Sequence, residues 1–321
     1  MELTWRPLTP ADMDALAVVF AEAEAAEPTG EHYSAEDLRE QFDGPSINLL
    51  DGSTAAWAGD RLVGYGLVRP RDAADPVHMP RLEALMHPDH RSEAVGHHLT
   101  DWFLRAGRLL HLAAFPDAPL ELHSSAHENQ RWFAEVLAAA GYQHQRTFVD
   151  MRTEPGTLPP VQPLPPELPL VAHEEKYEEL TRLARNDIFA GHWGSTEQSP
   201  ENWRHLVTGS KDFRRDLSFL LLSPSGDEVV AFVLSSFYES EAAITGVKEL
   251  YVNYVGTRAS LRGRGVATAL LGYTMAKATE AGFERYALNV DVDNAHSALG
   301  VYERCGYRVT DRWAGYVLPV G

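Results

Sequence analysis

The spacing of apolar positions changes along the chain, and each change marks an element. Residues Leu250 to Val255 form an apolar, β-rich run; after a polar loop, Val266, Leu270, Leu271, Met275 and Ala278 recur at helical spacing. In the first half the pattern predicts a strand over Thr4–Leu8 and a helix over Leu16–Ala26. A second helix is opened by the capping pattern Ser34-Ala-Glu-Asp37. A hairpin follows over Ser53–Val68 around Gly59-Asp60, then a strand over Leu82–Met86 and a helix through Leu110. A strand over Leu120–Ser124, a helix over Gln130–Ala140 stopped by Gly141-Tyr142, and a strand from about Gln145 to Met151 close the half.

The second half predicts the same order. A strand over Leu168–Ala172 leads to helices over Glu175–Ile188 and Ser199–Thr208. Leu217–Leu222 and Glu228–Ser235 pair as a hairpin, and a central strand starts at Val247. The helix from Val266, a strand over Arg285–Val290, a helix over Ala295–Cys305 stopped by Gly306-Tyr307, and a strand over Trp313–Pro319 complete it. A repeat of roughly 150 residues is a duplicated domain rather than a solenoid. Between the halves, Pro155–Pro169 holds seven prolines in fifteen residues, which excludes helix or central strand and gives an extended, semi-rigid connection. The expected organisation is residues 1–153, a proline-rich linker at 154–169, and residues 170–321.

Composition narrows the function classes. A chain of 321 residues suits two cores, and 44% hydrophobic content is ordinary for a globular protein. A net charge of −18 argues against nucleic acid or an anionic membrane as the main partner. The single cysteine, Cys305, excludes an internal disulfide and a cysteine zinc site, and no metal is expected. No stretch approaches 18 consecutive apolar residues and the N-terminus carries no signal-peptide pattern, so a cytoplasmic protein is expected.

The candidate chemistry lies in Arg262-Gly-Arg-Gly-Val-Ala267. Gly263 and Gly265 let the backbone approach a ligand closely, and the new helix offers free N–H groups to an anion. Strand, glycine loop and helix N-terminus together read as a pyrophosphate cradle. The Walker pattern fails because no Lys-Ser or Lys-Thr follows, and the Rossmann pattern fails because its third glycine position is Thr268. Arg262-x-x-Gly265-x-Ala267 resembles the Q/R-x-x-G-x-G/A signature of GCN5-related N-acetyltransferases. The resemblance implies an α/β fold with a mixed α+β sheet. It has two tandem domains, each a mostly antiparallel central sheet with a splayed central strand flanked by helices. It also implies acetyl-CoA as co-substrate, held by Arg262, Gly263, Arg264, Gly265, Val266 and Ala267, with Asn253, Tyr254 and Val255 on the splayed strand and Asn294 beyond it.

Acetyl transfer to an amine needs a base, oxyanion donors and an acid for the leaving thiolate. Glu249, at the start of the central strand, is the candidate base; Glu249-x-Tyr251-Val252 resembles the Glu-x-Tyr-Val of mycothiol synthases, where that glutamate is the base. Tyr302, in Leu299-Gly-Val-Tyr302-Glu-Arg-Cys-Gly306-Tyr307, resembles the family's terminal Leu-Tyr-x-x-x-Gly-Phe and is the candidate acid. His192 and Trp193 lie in a segment that resembles the Asn-x-x-Phe-Ala-Gly-His of the same synthases and are candidate acceptor contacts. In the first half, Arg91-x-x-Ala94-x-Gly96 lacks the first glycine and Leu137 stands where Tyr302 would, so that half is expected to be non-catalytic.

The expected activity is direct transfer from acetyl-CoA to the primary amine of a small molecule, by a monomer or homodimer. A peptide or protein amine remains open as acceptor, as does an acyl-CoA-binding regulatory or scaffold protein without turnover.

Overall fold

Strand β6 (Gln143–Thr153) and strand β12 (Arg308–Val320) decide how the chain divides. In a computed structural model that describes residues 2–293 and 298–321, two compact units form. One runs to Thr147 and adds Trp313–Gly321; the other is Phe148–Arg312. The expected boundaries at 153 and 170 therefore differ from the observed ones. The strand expected to close the first half begins the second unit's sheet, and the strand expected to close the second half completes the first unit's sheet. The reason is pairing: β6 from Phe148 onward is antiparallel to Arg285–Asp291, while β12 from Trp313 onward is antiparallel to Leu120–His127.

The first unit contains β1 (Thr4–Arg6), α1 (Met13–Ala26), α2 (Ala35–Phe42), α3 (Leu49–Gly52), β2 (Ser53–Ala58), β3 (Arg61–Arg69), β4 (Arg81–Met86), α4 (Glu93–Ala114), β5 (Leu120–His127) and α5 (Arg131–Ala139). Its strands lie in the order β1-β2-β3-β4-β5-β12, antiparallel except for a short parallel β4–β5 ladder. Phe103, Leu122, Phe133 and Leu137 fill one side of the sheet, and Leu16, Leu38 and Leu67 the other.

The second unit contains β6, β7 (Leu170–Ala172), α6 (Glu178–Phe189), α7 (Pro200–Trp203), β8 (Phe219–Leu222), β9 (Val229–Ser236), α8 (Glu239–Thr245), β10 (Glu249–Thr257), α9 (Val266–Glu280), β11 (Arg285–Asp291) and α10 (Ala298–Arg304). Its order is β6-β11-β10-β9-β8-β7, again mostly antiparallel, with β10–β11 parallel. Val149 and Met151 of β6 join Leu250, Leu270, Met275 and Tyr286 in the main core. The proline-rich stretch carries no strand or α-helix after Thr157, yet Leu158, Leu164 and Leu168 pack on that core. No helix among the described residues is long and apolar enough to cross a membrane.

α8 was not legible in the sequence. Its residues Glu239-Ser-Glu-Ala-Ala-Ile-Thr245 bury nothing and so lack an apolar stripe. Gly246, at φ 70, ends it in the left-handed conformation that glycine adopts without a Cβ penalty. The predicted helix over Ser199–Thr208 is α7 followed by a π-helical turn over Arg204–Thr208, with Gly209 N–H donating to the Arg204 carbonyl at 2.7 Å.

Candidate active site

Strand β10 is held on one side from Tyr251 to its end and on the other for only its first third. Its ladder with β9 continues through Thr257, interrupted by an irregularity between Val252 and Tyr254. Its parallel ladder with β11 has three rungs, Glu249↔Arg285, Leu250↔Tyr286 and Tyr251↔Ala287, while β11 itself stays paired with β6 to Asp291. Past Tyr251 the two parallel strands separate, and the backbone of β10 facing the gap has no ladder partner among the described residues. Asn253, Tyr254 and Val255 all lie in this separated stretch.

Their side chains have different surroundings. Asn253 Nδ2 donates to the Tyr238 hydroxyl at 3.4 Å, while Asn253 Oδ1 is buried without a hydrogen-bond donor among the described residues. The Tyr254 ring packs against Phe189 at 5.6 Å and Trp203 at 6.1 Å, with the Arg185 guanidinium over its face at 5.7 Å. Gly256 lies against Phe232, where an added Cβ would come within 2.4 Å of the ring.

Beyond β10 a single 3₁₀ turn, Ala259–Leu261, delivers the chain to Arg262 and then to two left-handed residues, Gly263 at φ 73 and Gly265 at φ 76. A Cβ at either glycine would meet no other atom within 4 Å, so the loop is open to a ligand. Gly265 caps α9, a helix of 15 residues, and the first bond back to it is Ala269 N–H to the Gly265 carbonyl at 2.9 Å. The N–H groups of Val266, Ala267 and Thr268 thus start the helix without intrahelical acceptors. Arg262 Nε donates to the Thr257 carbonyl at 3.3 Å, and Arg264 lies 3.5 Å from Glu167. Free N–H groups, a positive helix end and two arginines fit the charge of a pyrophosphate.

The corresponding loop of the first unit is closed. Ser92 caps α4 with its own hydroxyl, accepting from Val95 N–H at 3.2 Å, and Glu93 puts a carboxylate in the first turn. Arg91 turns away to Glu27 at 2.7 Å and lies over the Trp132 ring. At Gly96 a Cβ would come within 2.5 Å of Val136, so this glycine serves helix packing.

Glu249 opens β10 and is only 7% exposed. Its Oε2 accepts from Arg285 Nε and from Arg152 Nε, the latter at 3.3 Å. Arg152 of β6 also donates to Thr310 Oγ1 at 2.7 Å and Asp311 Oδ2 at 2.8 Å. Among the described residues nothing hydrogen-bonds Glu249 Oε1. Nearby on α8, Glu241 has its carboxyl pushed up, first by burial and then by the Glu249 charge. Sequence reasoning missed Arg152, Arg285 and Glu241; the strand pairing that brings Arg285 opposite Glu249 and Arg152 near it is non-local.

Tyr302 lies on α10 at 9% exposure, within the core that includes Val266 and Leu270. Burial, then the neighbouring Cys305, pushes its phenol well above the ordinary tyrosine range. Tyr307 is fully buried 6.1 Å from it, and its hydroxyl has no hydrogen-bond partner among the described residues. Asn294 lies outside the described residues.

His192 and Trp193 follow α6 and are half-buried, His192 against Phe189 at 4.5 Å and Trp193 against Phe148 at 5.9 Å. A cavity of about 160 Å³ lies closer to β10, lined by Leu206, Val207, Tyr238, Tyr251, Asn253 and Tyr254 among others. His192 and Trp193 do not line it; Phe189 separates His192 from Tyr254. Tyr238 was not singled out from sequence and Tyr251 entered only as part of the Glu249-x-Tyr251-Val252 motif, since tyrosines in and beside a strand read equally as packing.

Residues 178–307 match the profile of the Acetyltransferase (GNAT) family. Among curated proteins, the mycothiol acetyltransferase of Streptomyces coelicolor is 28% identical over 306 residues, covering 95% of this chain and 91% of that one. The mycothiol acetyltransferase of Salinispora tropica is 28% identical over 316 residues, covering 96% and 91%. Among solved structures, a GCN5-related N-acetyltransferase from Sphaerobacter thermophilus superposes with a TM-score of 0.75 at 22% identity, covering 99% of this chain and 95% of that one. A tandem GNAT protein from the clavulanic acid biosynthesis pathway superposes with a TM-score of 0.68 at 16% identity, covering 100% and 99%. These two structural likenesses speak for the fold.

Proposed function

We propose that this chain, whose residues 178–307 match the Acetyltransferase (GNAT) family, is an N-acetyltransferase that moves the acetyl group of acetyl-CoA directly onto the primary amine of a small molecule. The observation that carries the reading is the end of the β10–β11 ladder at Tyr251 and Ala287. It opens a slot beside a strand whose far end leads into the Gly263–Gly265 loop.

Acetyl-CoA supplies an activated thioester carbonyl. The N–H groups at the start of α9, with Arg262 and Arg264, hold its pyrophosphate. The slot-facing N–H groups of β10 past Tyr251 stabilise the negative charge that develops on the carbonyl oxygen. Glu249 removes the ammonium proton through Oε1, directly or through one water, while Arg152 and Arg285 hold Oε2 and fix the carboxylate's orientation. Tyr302, kept protonated by its burial, gives its proton to the leaving sulfur. The cavity beside Tyr238, Tyr251 and Asn253 takes the acceptor. Non-catalytic status of the first unit is supported by its self-capped α4 and inward-turned Arg91.

The test is thiol release from acetyl-CoA over a panel of amines, with the cysteinyl pseudodisaccharide first because of the activity named for the curated relatives, followed by aminoglycosides, polyamines and amino acids. Release that depends on one acceptor class and collapses in Glu249→Gln supports the reading. Binding of acetyl-CoA with no acceptor-dependent release across the panel overturns it in favour of a non-catalytic acyl-CoA-binding protein.

A further inference from the structure

The irregularity in β10 inserts one residue, and that residue is Asn253. Val252 pairs with Ser235 and Tyr254 with Leu234, so Asn253 has no rung of its own on β9. Leu250, Val252 and Val255 pack toward the main core, a step of two followed by a step of three. Tyr251, Asn253 and Tyr254 are left to the opposite face, where all three line the cavity of about 160 Å³. Alternation along the strand puts Glu249 on that same face, two residues before Tyr251.

The lining combines the rings of Tyr238, Tyr251 and Tyr254 with Ser210 and Ser236, and among the described residues it includes no Asp, Glu, Lys, Arg or His. The Arg185 guanidinium already lies over the Tyr254 ring at 5.7 Å. A second cationic group on an acceptor would be desolvated here near a positive charge, with no carboxylate in the lining to balance it. A volume of about 160 Å³ corresponds to roughly five waters of liquid, which suits one substituted six-membered ring. Asn253 supplies the polar atom that asks for a ligand. Its Nδ2 is committed to the Tyr238 hydroxyl, and its Oδ1 is buried with no donor among the described residues. Such an atom carries a desolvation cost that a donor on a bound molecule would relieve.

We propose that Asn253 is a specificity-determining residue whose Oδ1 accepts a hydrogen bond from the acceptor, and that the acceptor is a monoamine bearing a hydroxyl or N–H donor on an uncharged ring. The inference rests on the proposed acetyl transfer, because Glu249 is what places the amine. About 13 Å of strand separates Glu249 from Asn253, so the donor lies across the ring from the amine. Tyrosine faces pack on either an aromatic or a sugar ring, and a phenol and a sugar both present the required hydroxyl.

The experiment is calorimetric titration of the full chain, with coenzyme A in excess so that no turnover occurs, using two matched pairs of amines and spermidine. Tyramine is set against 2-phenylethylamine, and 6-amino-6-deoxyglucose against cyclohexylmethylamine. We expect the hydroxylated member of at least one pair to bind about three- to tenfold more tightly than its bare partner, the pair itself telling phenol from sugar. Asn253→Ala brings that ratio to about one. Asn253→Asp keeps it, since a carboxylate still accepts, and tightens spermidine, which the wild-type chain binds more weakly than the preferred amine. The inference is overturned if no hydroxylated amine is preferred or none binds, if the preference survives Asn253→Ala or is lost in Asn253→Asp, or if spermidine binds the wild-type chain most tightly. Failure of the acetyl-transfer reading shows separately, as absence of thiol release from acetyl-CoA with the amine that binds.

Discussion

Glu249 and Arg285 face each other on the first rung of the parallel β10–β11 ladder, and their side chains close an ion pair across it. The ladder ends two rungs later. The pair therefore fastens the closed end of the slot proposed to admit the thioester, and it engages only one of the two Glu249 carboxylate oxygens.

Glu249→Gln removes the proposed base and should lower kcat by about 10²–10⁴-fold, the range typical of a general base. The acetyl-CoA Kd should stay within about threefold, because the pyrophosphate loop lies at the other end of β10. Steady-state kinetics with the identified amine and a direct binding titration check both halves of this expectation.

Arg285→Gln leaves Glu249 with Arg152 as its one remaining guanidinium at a largely buried site. Breaking such a pair typically costs about 3–5 kcal/mol; with Arg285 itself partly exposed, a loss of roughly 2–3 kcal/mol in urea unfolding is expected. Restoration of most of that loss in Arg285→Lys would show the effect to be charge rather than packing.

Gly265→Asp combines two penalties. The left-handed backbone at φ 76 costs a non-glycine residue about 1–2 kcal/mol, and the carboxylate would sit where a phosphate is expected. The acetyl-CoA Kd should rise by at least about tenfold, with Gly265→Ala intermediate, as read by calorimetry. Unchanged binding in both variants would place the cofactor elsewhere.

Tyr302→Phe should lower kcat by about 10–100-fold across the accessible pH range where chemistry is rate-limiting. Since burial holds this phenol well above the ordinary range, the wild-type profile should show no alkaline fall from Tyr302 up to pH 10. A wild-type fall near pH 9 that vanishes in the variant would contradict the structure.

His173 is buried and its imidazole is pushed down to about 4, first by burial and then by Arg215 beside it. The unfolded chain takes up this proton near pH 6.5 and the folded chain does not, so this stabilising term is complete above the unfolded value. It is lost as pH falls from about 6.5 toward 4, to a limit of about 3 kcal/mol. Urea unfolding at pH 7 and pH 4.5 should show the decline, and His173→Gln should flatten it.

Local patterns explain why so much of the fold could be read directly. The apolar run in Leu250–Val255 and the helical spacing from Val266 to Ala278 arise from elements packed on the core, and both recur as β10 and α9. The glycine loop was legible for a similar reason, because positive φ leaves a residue-type signature in the chain. What escaped was set by partners distant in sequence. Nothing near Arg152 signals that β6 will bring it to Glu249, and α8 has no buried face to announce itself. Reading β6 and β12 as the last strands of their own halves followed the duplication, whereas the ladders are chosen by pairing between distant segments.

The use of β12 to complete the first unit has a consequence for biosynthesis. Residues 1–147 leave the ribosome early, but the strand that covers β5 is translated only after the entire second unit. Until then the nascent sheet exposes the edge of β5, a row of unpaired N–H and C=O groups able to recruit a neighbouring chain. A gene cut in the proline-rich stretch should therefore yield an N-terminal fragment that aggregates. Supplying Trp313–Val320 as a peptide in trans should rescue it.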